Sequence, residues 1–154
     1  MSQGIHLNFE SEPCDNCSRK ELKFKPHEEL IIDDLLRKFL DKNIIEPTEH
    51  LEGEVLSNIF IRPKPDGSYR LILNLSKLNE HLEYKHFKME TFKSALELIK
   101  QNCFCAKLDI KDAYYSVKIF EQDKKFMRFT WKNQVYQFNC MDMGVSPAVK
   151  TNVI

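Results

Sequence analysis

Two aspartates and two tyrosines lie close together in the run K-L-D-I-K-D-A-Y-Y-S, from Lys107 to Ser116, and these residue types suit divalent-cation and phosphate chemistry. Phe104, Ala106, Leu108 and Ile110 fall at alternate positions, the spacing of a β-strand, so the backbone is expected to deliver Asp109 to the end of a buried strand. A carboxylate there is costly unless it binds something. A hard divalent cation meets that need, because such ions gather oxygens from one or two carboxylates, backbone carbonyls and substrate phosphates. Asp112, three residues on, has the alternative role of capping a short helix, and Asp109 that of a turn residue. The segment alone leaves both readings open.

The elements that must position these residues follow from periodicity and turn chemistry. Pro26, then Glu28 and Glu29, then apolar Ile32, Leu35, Leu36, Phe39 and Leu40 predict a helix with one buried stripe that stops near Asn43. Residues Met1 to Lys25 read as an extended lead-in ahead of a single domain over 26–154, and Ile44 to Glu54 as a surface connection. Ser57 to Arg62 and Tyr69 to Leu75 predict two strands of a hairpin joined through Asp66-Gly67. Alternation puts Tyr69, Leu71, Leu73 and Leu75 on one face and Arg70, Ile72 and Asn74 on the other, with Lys64 at the tip between two prolines. Ser76 to Leu82 predicts a short helical turn. Phe92, Ala95, Leu96 and Ile99 predict an amphipathic helix with Thr91 as its N-cap. After the strand through Ala106 comes a charged surface stretch, Lys118 to Lys125. A second hairpin follows, Phe126 to Trp131 with Val135 to Asn139, whose Phe129, Trp131, Tyr136 and Phe138 are read as core and cross-strand packing.

The 154 residues suffice for one domain with a real core. With 42% hydrophobic and 30% charged residues, neither disorder nor a fibrous repeat fits the whole chain. The balance of 23 basic against 23 acidic residues gives no global support for nucleic-acid binding, so any such surface has to be local. No apolar run approaches the roughly 20 residues that cross a bilayer, and no export signal is visible, which predicts an intracellular protein, cytoplasmic or nuclear. The five cysteines are odd in number and scattered, as reduced thiols are. Cys14 and Cys17 have zinc-ligand spacing, but no second Cys or His pair matches it.

Taken in order, four segments resemble the fingers and first half of the palm of a retroelement reverse transcriptase, with the flavour of the DIRS-like retrotransposons. They are I-F-I-R-P-K-P-D-G-S-Y-R-L-I-L-N-L-S-K-L-N (Ile59 to Asn79), H-F-K-M-E (His86 to Glu90), the Lys107 to Ser116 run, and F-M-R-F-T-W through Y-Q-F-N-C-M-D-M-G (Phe126 to Gly144). The resemblance implies an α+β fold: a small antiparallel sheet with packed helices, a truncated right-hand polymerase. It implies that Asp109 is the first catalytic aspartate, binding Mg2+ together with the backbone carbonyl of Ile110. Asp112 and Ala113 match positions whose amides meet the triphosphate of a deoxynucleotide. Tyr114 matches the aromatic wall that excludes a ribose 2′-hydroxyl. Lys64 and Arg70 match the basic pair that grips the triphosphate. An RNA or DNA primer-template is the implied partner.

The same comparison sets limits. The family's second acidic pair, a Y-x-D-D hairpin, lies downstream of the last matching segment, as do the rest of the palm and the thumb. One aspartate and one carbonyl do not hold two magnesium ions about 4 Å apart, so the isolated chain is expected to be inactive unless a partner supplies the missing parts. Asp142 and Met143 stand where the family has Pro and an aromatic or Gln, and about two residues are absent before Ser146 and Pro147. Asn74 and Ser76 replace an acidic and a basic residue of the wider retroviral class, as is common in the DIRS-like branch. A non-catalytic remnant that binds nucleic acid or protein is the alternative function. A different metal enzyme using Asp109 and Asp112 with Asp33 and Asp34 is a third, though those two read as solvated charges beside the helix stripe.

Overall fold

A computed structural model describes residues 4–13, 22–83, 91–104, 106 and 113–145. The first helix, α1, runs from Pro26 to Asp41. Pro26 occupies the first turn, where its missing N–H costs nothing, and the Glu28 side chain accepts the Lys25 amide at 2.8 Å. Ile32 and Leu36 form its buried stripe, and Asn43 then turns the chain at φ 55°.

Two antiparallel sheets follow. Strands β2 (Ile59–Pro63) and β3 (Tyr69–Leu73) form the first hairpin. Strands β1 (Ile45–Thr48), β4 (Arg128–Trp131) and β5 (Gln134–Phe138) form a three-stranded sheet in the order β1-β5-β4. Lys132 and Asn133, both with positive φ, make the two-residue turn between β4 and β5, and that backbone suits the right-handed strand twist. Helices α2 (Ser76–His81) and α3 (Phe92–Leu98) lie between the sheets in sequence. The core gathers Ile32, Leu36, Ile45, Ile59, Leu73, Leu78, Phe129, Phe138 and Met141, with a contribution from each of these elements except α3 among the described residues. This is the expected α+β architecture with small antiparallel sheets.

Several expectations need correction. Ile44 to Glu54 is not a surface connection: Ile44 and Ile45 are buried, and β1 pairs with Val135 to Phe138. The four-residue strand I-E-P-T shows no alternation of its own, and Pro47 is tolerated because β1 is an edge strand. Lys118 to Lys125 is not simply a charged surface. Lys118 bridges Cys140, buried Ile119 bridges Ile5, and a 3-10 helix spans Glu121–Phe126. Helix α3 forms with the expected cap, Thr91 Oγ1 accepting the Ser94 amide at 3.2 Å, yet Phe92, Leu96 and Ile99 are exposed. Of the strand expected through Ala106, Cys103, Phe104 and Ala106 have no strand pairing and Phe104 is fully exposed; Cys105 and residues 107–112 lie outside the described residues. Residues 4–10 are tied down by bridges from Ile5 to Ile119 and from Phe9 to Leu82.

Candidate functional site

The β2–β3 hairpin has one greasy and one polar face, and its register decides which side chains share each. Ile59↔Leu73, Ile61↔Leu71 and Pro63↔Tyr69 are opposed on the side that carries buried Ile59, Leu71 and Leu73. Phe60↔Ile72 and Arg62↔Arg70 are opposed on the other, and both arginines are exposed. The tip is a built turn. Gly67 sits at φ 79°, its amide donates to the Lys64 carbonyl at 3.0 Å, and the Lys64 amide donates to the Ser68 carbonyl at 2.7 Å. Asp66 Oδ1 accepts both the Ser68 hydroxyl, at 2.6 Å, and its amide, at 2.9 Å, and those bonds hold its carboxyl below the ordinary value. Lys64 is thus fixed at its backbone while its side chain stays available.

Arg70 also meets a second segment. Its Nη1 approaches the Met143 thioether at 3.9 Å, which joins the outer hairpin face to the loop over residues 141–145. That loop is anchored by buried Met141 and Val145, and by Asn79, whose amide donates to the Gly144 carbonyl at 2.8 Å. Between them Asp142 is 1% exposed. Its Oδ2 accepts the Gly144 amide at 3.1 Å, while its Oδ1 is buried with no partner among the described residues. Burial pushes this carboxyl up to about 6, against the pull of the Gly144 and Met143 amides. Asn74, on the outer side beyond β3, accepts the Ser76 hydroxyl at 2.7 Å just ahead of α2.

Lys64 and Arg70 therefore lie on one hairpin, with Arg70 against Met143. Ala113 and Tyr114 begin a 3-10 turn, Ala113–Ser116, and Tyr114 is half-buried against the core beside Tyr115, which packs edge-on to Phe39 at 5.4 Å. Asp109, Ile110 and Asp112 lie outside the described residues, as do Cys14 and Cys17. Among the described residues no group of three His, Cys, Asp or Glu gathers as a metal site. Asp33 is committed elsewhere, accepting Trp131 Nε1 at 2.8 Å and Lys132 Nζ at 2.6 Å. Surface cavities of about 410 Å³ (near Lys118 and Lys124) and 690 Å³ (near Phe24 and Trp131) include neither Lys64, Arg70 nor Tyr114. Sequence reading passed over Arg62. The strand alternation that set Arg70 outward would have found it, once the pairing register was known.

The sequence profile of the family described as reverse transcriptase (RNA-dependent DNA polymerase) matches residues 62–152. The Transposon Tf2-3 and Tf2-4 polyproteins of Schizosaccharomyces pombe are each 24% identical to it over 86 residues, 56% of this chain and 6% of theirs. The fold is similar to that of the prototype foamy virus protease-reverse transcriptase, with TM-score 0.72 and 17% identity over 92% of this chain and 19% of that one. It is equally similar to the foamy viral protease-reverse transcriptase solved in complex with double-stranded DNA, with TM-score 0.73 and 14% identity over 97% of this chain and 32% of that one. The chain thus spans a small part of the proteins it matches. No described helix is long and apolar enough to cross a membrane.

Proposed function

Because the chain belongs to the reverse transcriptase (RNA-dependent DNA polymerase) family, we propose that it carries the nucleotide-gripping fingers and first half of the palm of a retroelement polymerase. In the 154-residue polypeptide this portion binds phosphate without polymerising. One observation carries the reading: Lys64 and Arg70 project from the same rigid hairpin, inside the region that matches the family, and neither makes an ion pair with a carboxylate among the described residues. Lys64 feels the Asp66 carboxylate through space without pairing to it, and cations with no direct carboxylate partner among the described residues on a turn-anchored strand pair are suited to an incoming anion.

The remaining roles follow from the family pattern. Asp109 and the Ile110 carbonyl are the proposed ligands of Mg2+, which supplies charge neutralisation to the phosphates when bound. The amides of Asp112 and Ala113 are proposed to meet the triphosphate, and Tyr114 to close against the sugar and reject a 2′-hydroxyl. The foamy viral relative solved with double-stranded DNA supports a primer-template as the partner.

Primer extension with deoxynucleotides and magnesium tests the second half of this reading. No extension is expected from the 154-residue polypeptide, and extension that disappears in Asp109→Ala would overturn it. Titration with labelled primer-template at two salt concentrations tests the first half, because phosphate contacts weaken steeply with salt. Absence of binding at low salt would refute the phosphate-binding assignment.

A further inference from the structure

The register of the first hairpin sets two arginines directly against each other. Arg62 of β2 and Arg70 of β3 are Cα partners in an antiparallel pair, and directly opposed residues present their side chains on the same face, with Cα atoms about 5 Å apart. Like charges so placed destabilise a sheet. Neither arginine has an ion-pair partner among the described residues, so no described carboxylate neutralises that pair. The pair is nonetheless held in place. The Arg62 guanidinium lies over the Phe60 ring, 5.8 Å from its centroid, and Arg70 rests on the Met143 thioether. Stacking on Phe60 restrains Arg62 while leaving the N–H edges of its planar fork free to donate. Lys64, two residues beyond Arg62, continues the cationic row toward the tip.

We infer that Arg62 is a further phosphate-binding residue, which together with Arg70 holds a single phosphate oxyanion between two facing guanidinium forks. The inference rests on the phosphate-binding reading of the hairpin and extends it to a residue outside the Lys64–Arg70 pair. Two forks on opposite sides satisfy more of the oxyanion's lone pairs than Arg70 can alone, and the anion offsets the cross-strand repulsion. The chain's net charge of zero makes this concentration of cations a local device. The bound group has one chemistry and two possible sources: the triphosphate of a nucleotide, or the phosphodiester of a nucleic-acid strand.

The test uses the 154-residue chain and its Arg62→Gln, Arg62→Lys, Arg70→Gln and double Gln variants. One arm titrates dGTP; the other titrates a short fluorescent single-stranded oligodeoxythymidine with a 5′-hydroxyl, followed by anisotropy. Arg62→Gln is expected to weaken binding about tenfold in at least one arm, and that arm identifies the source. Arg62→Lys, which keeps the charge and loses the fork, falls between. The double variant is expected to bind no more than a few-fold more weakly than either single one, because both residues serve one anion. Without ligand, Arg62→Gln should unfold no more easily than the parent chain. Binding that Arg70→Gln weakens and Arg62→Gln leaves unchanged in both arms overturns this inference and leaves the proposed function standing. Absence of binding by the parent chain in both arms overturns both.

Discussion

The Arg128 guanidinium donates to the Glu54 carboxylate at 2.9 Å, with only 6% and 7% of the two side chains exposed, and so ties the loop after β1 to the start of β4. The same guanidinium donates to the Glu49 carbonyl at 3.0 Å, and through Nε and Nη2 to Gln137 Oε1 at 3.1 and 2.7 Å. Removing one member leaves the other charged and buried, which typically costs about 3–5 kcal/mol, whereas replacing both with apolar residues costs far less. Urea unfolding should therefore show Glu54→Ala strongly destabilised and Glu54→Leu with Arg128→Met much closer to the parent chain. Equal losses in the two would contradict a charge-based role for the pair.

Acid should weaken the same connection. Burial raises the Glu54 carboxyl, but hydrogen bonds from His50 and Arg128 outweigh it and hold the group below its ordinary value. A depressed carboxyl contributes stability that is complete above the ordinary value of 4.5 and is lost as pH falls through the lowered one. In the Glu54→Gln variant the loss of stability on acidification below pH 4.5 should be smaller than in the parent.

Asp142 predicts the opposite slope. Its carboxyl is raised from 3.8 to about 6, so the fold carries no penalty while both states are protonated, loses stability as pH rises from 3.8 to about 6, and bears the full cost above that. The shift corresponds to about 3 kcal/mol at neutral pH. Asp142→Asn keeps an oxygen for the Gly144 amide and removes the charge, so it should unfold at higher urea at pH 7.5 and flatten the slope between pH 4 and 6. The buried Cys140 thiol, pushed up to about 12 by burial and by the charge of Asp142, should become easier to ionise in the same variant. An unchanged slope would show that the Asp142 charge is not buried in solution.

How far the fold was legible depended on whether its determinants are local. Pro26, the Asp66-Gly67 turn, the Thr91 cap and the alternation around Lys132-Asn133 each act within a few residues, and the corresponding elements were readable. Strand β1 was not, because what makes I-E-P-T a strand is its pairing with Val135 to Phe138, far along the chain. Periodicity likewise identified α3 as a helix but not what covers its apolar side chains. At the candidate site the types of Lys64, Arg70 and Asp142 were visible in sequence. The Arg62–Arg70 opposition and the unpartnered Asp142 Oδ1 required the register and the loop geometry.

Asp33 links α1 to the β4–β5 turn through Trp131 and Lys132, where sequence reading had made it a solvated charge. Hydrogen bonds from Lys132, then Trp131, hold its carboxyl below the ordinary value. Trp131 is the sole tryptophan of the chain, so its fluorescence reports this contact directly. Asp33→Ala should shift the emission maximum and lower the thermal midpoint by a few degrees, about the effect of 1 kcal/mol. Asp33→Asn, which retains an acceptor for the indole N–H, should restore most of the emission change. Identical spectra for the parent and Asp33→Ala would show that the indole N–H has another partner in solution.

Helix α3 presents Phe92 and Leu98 to solvent at 79% and 80% exposure, with Leu96 and Ile99 beside them. Apolar side chains grouped in this way favour association, whereas their loss costs little where they cover nothing. The double substitution Phe92→Ser and Leu98→Lys should therefore change unfolding stability by no more than about 0.5 kcal/mol. It should also reduce the concentration-dependent growth in mass measured by sedimentation. A loss of stability well beyond that amount would mean that these side chains pack on the core in solution, and unchanged association would place the self-association surface elsewhere.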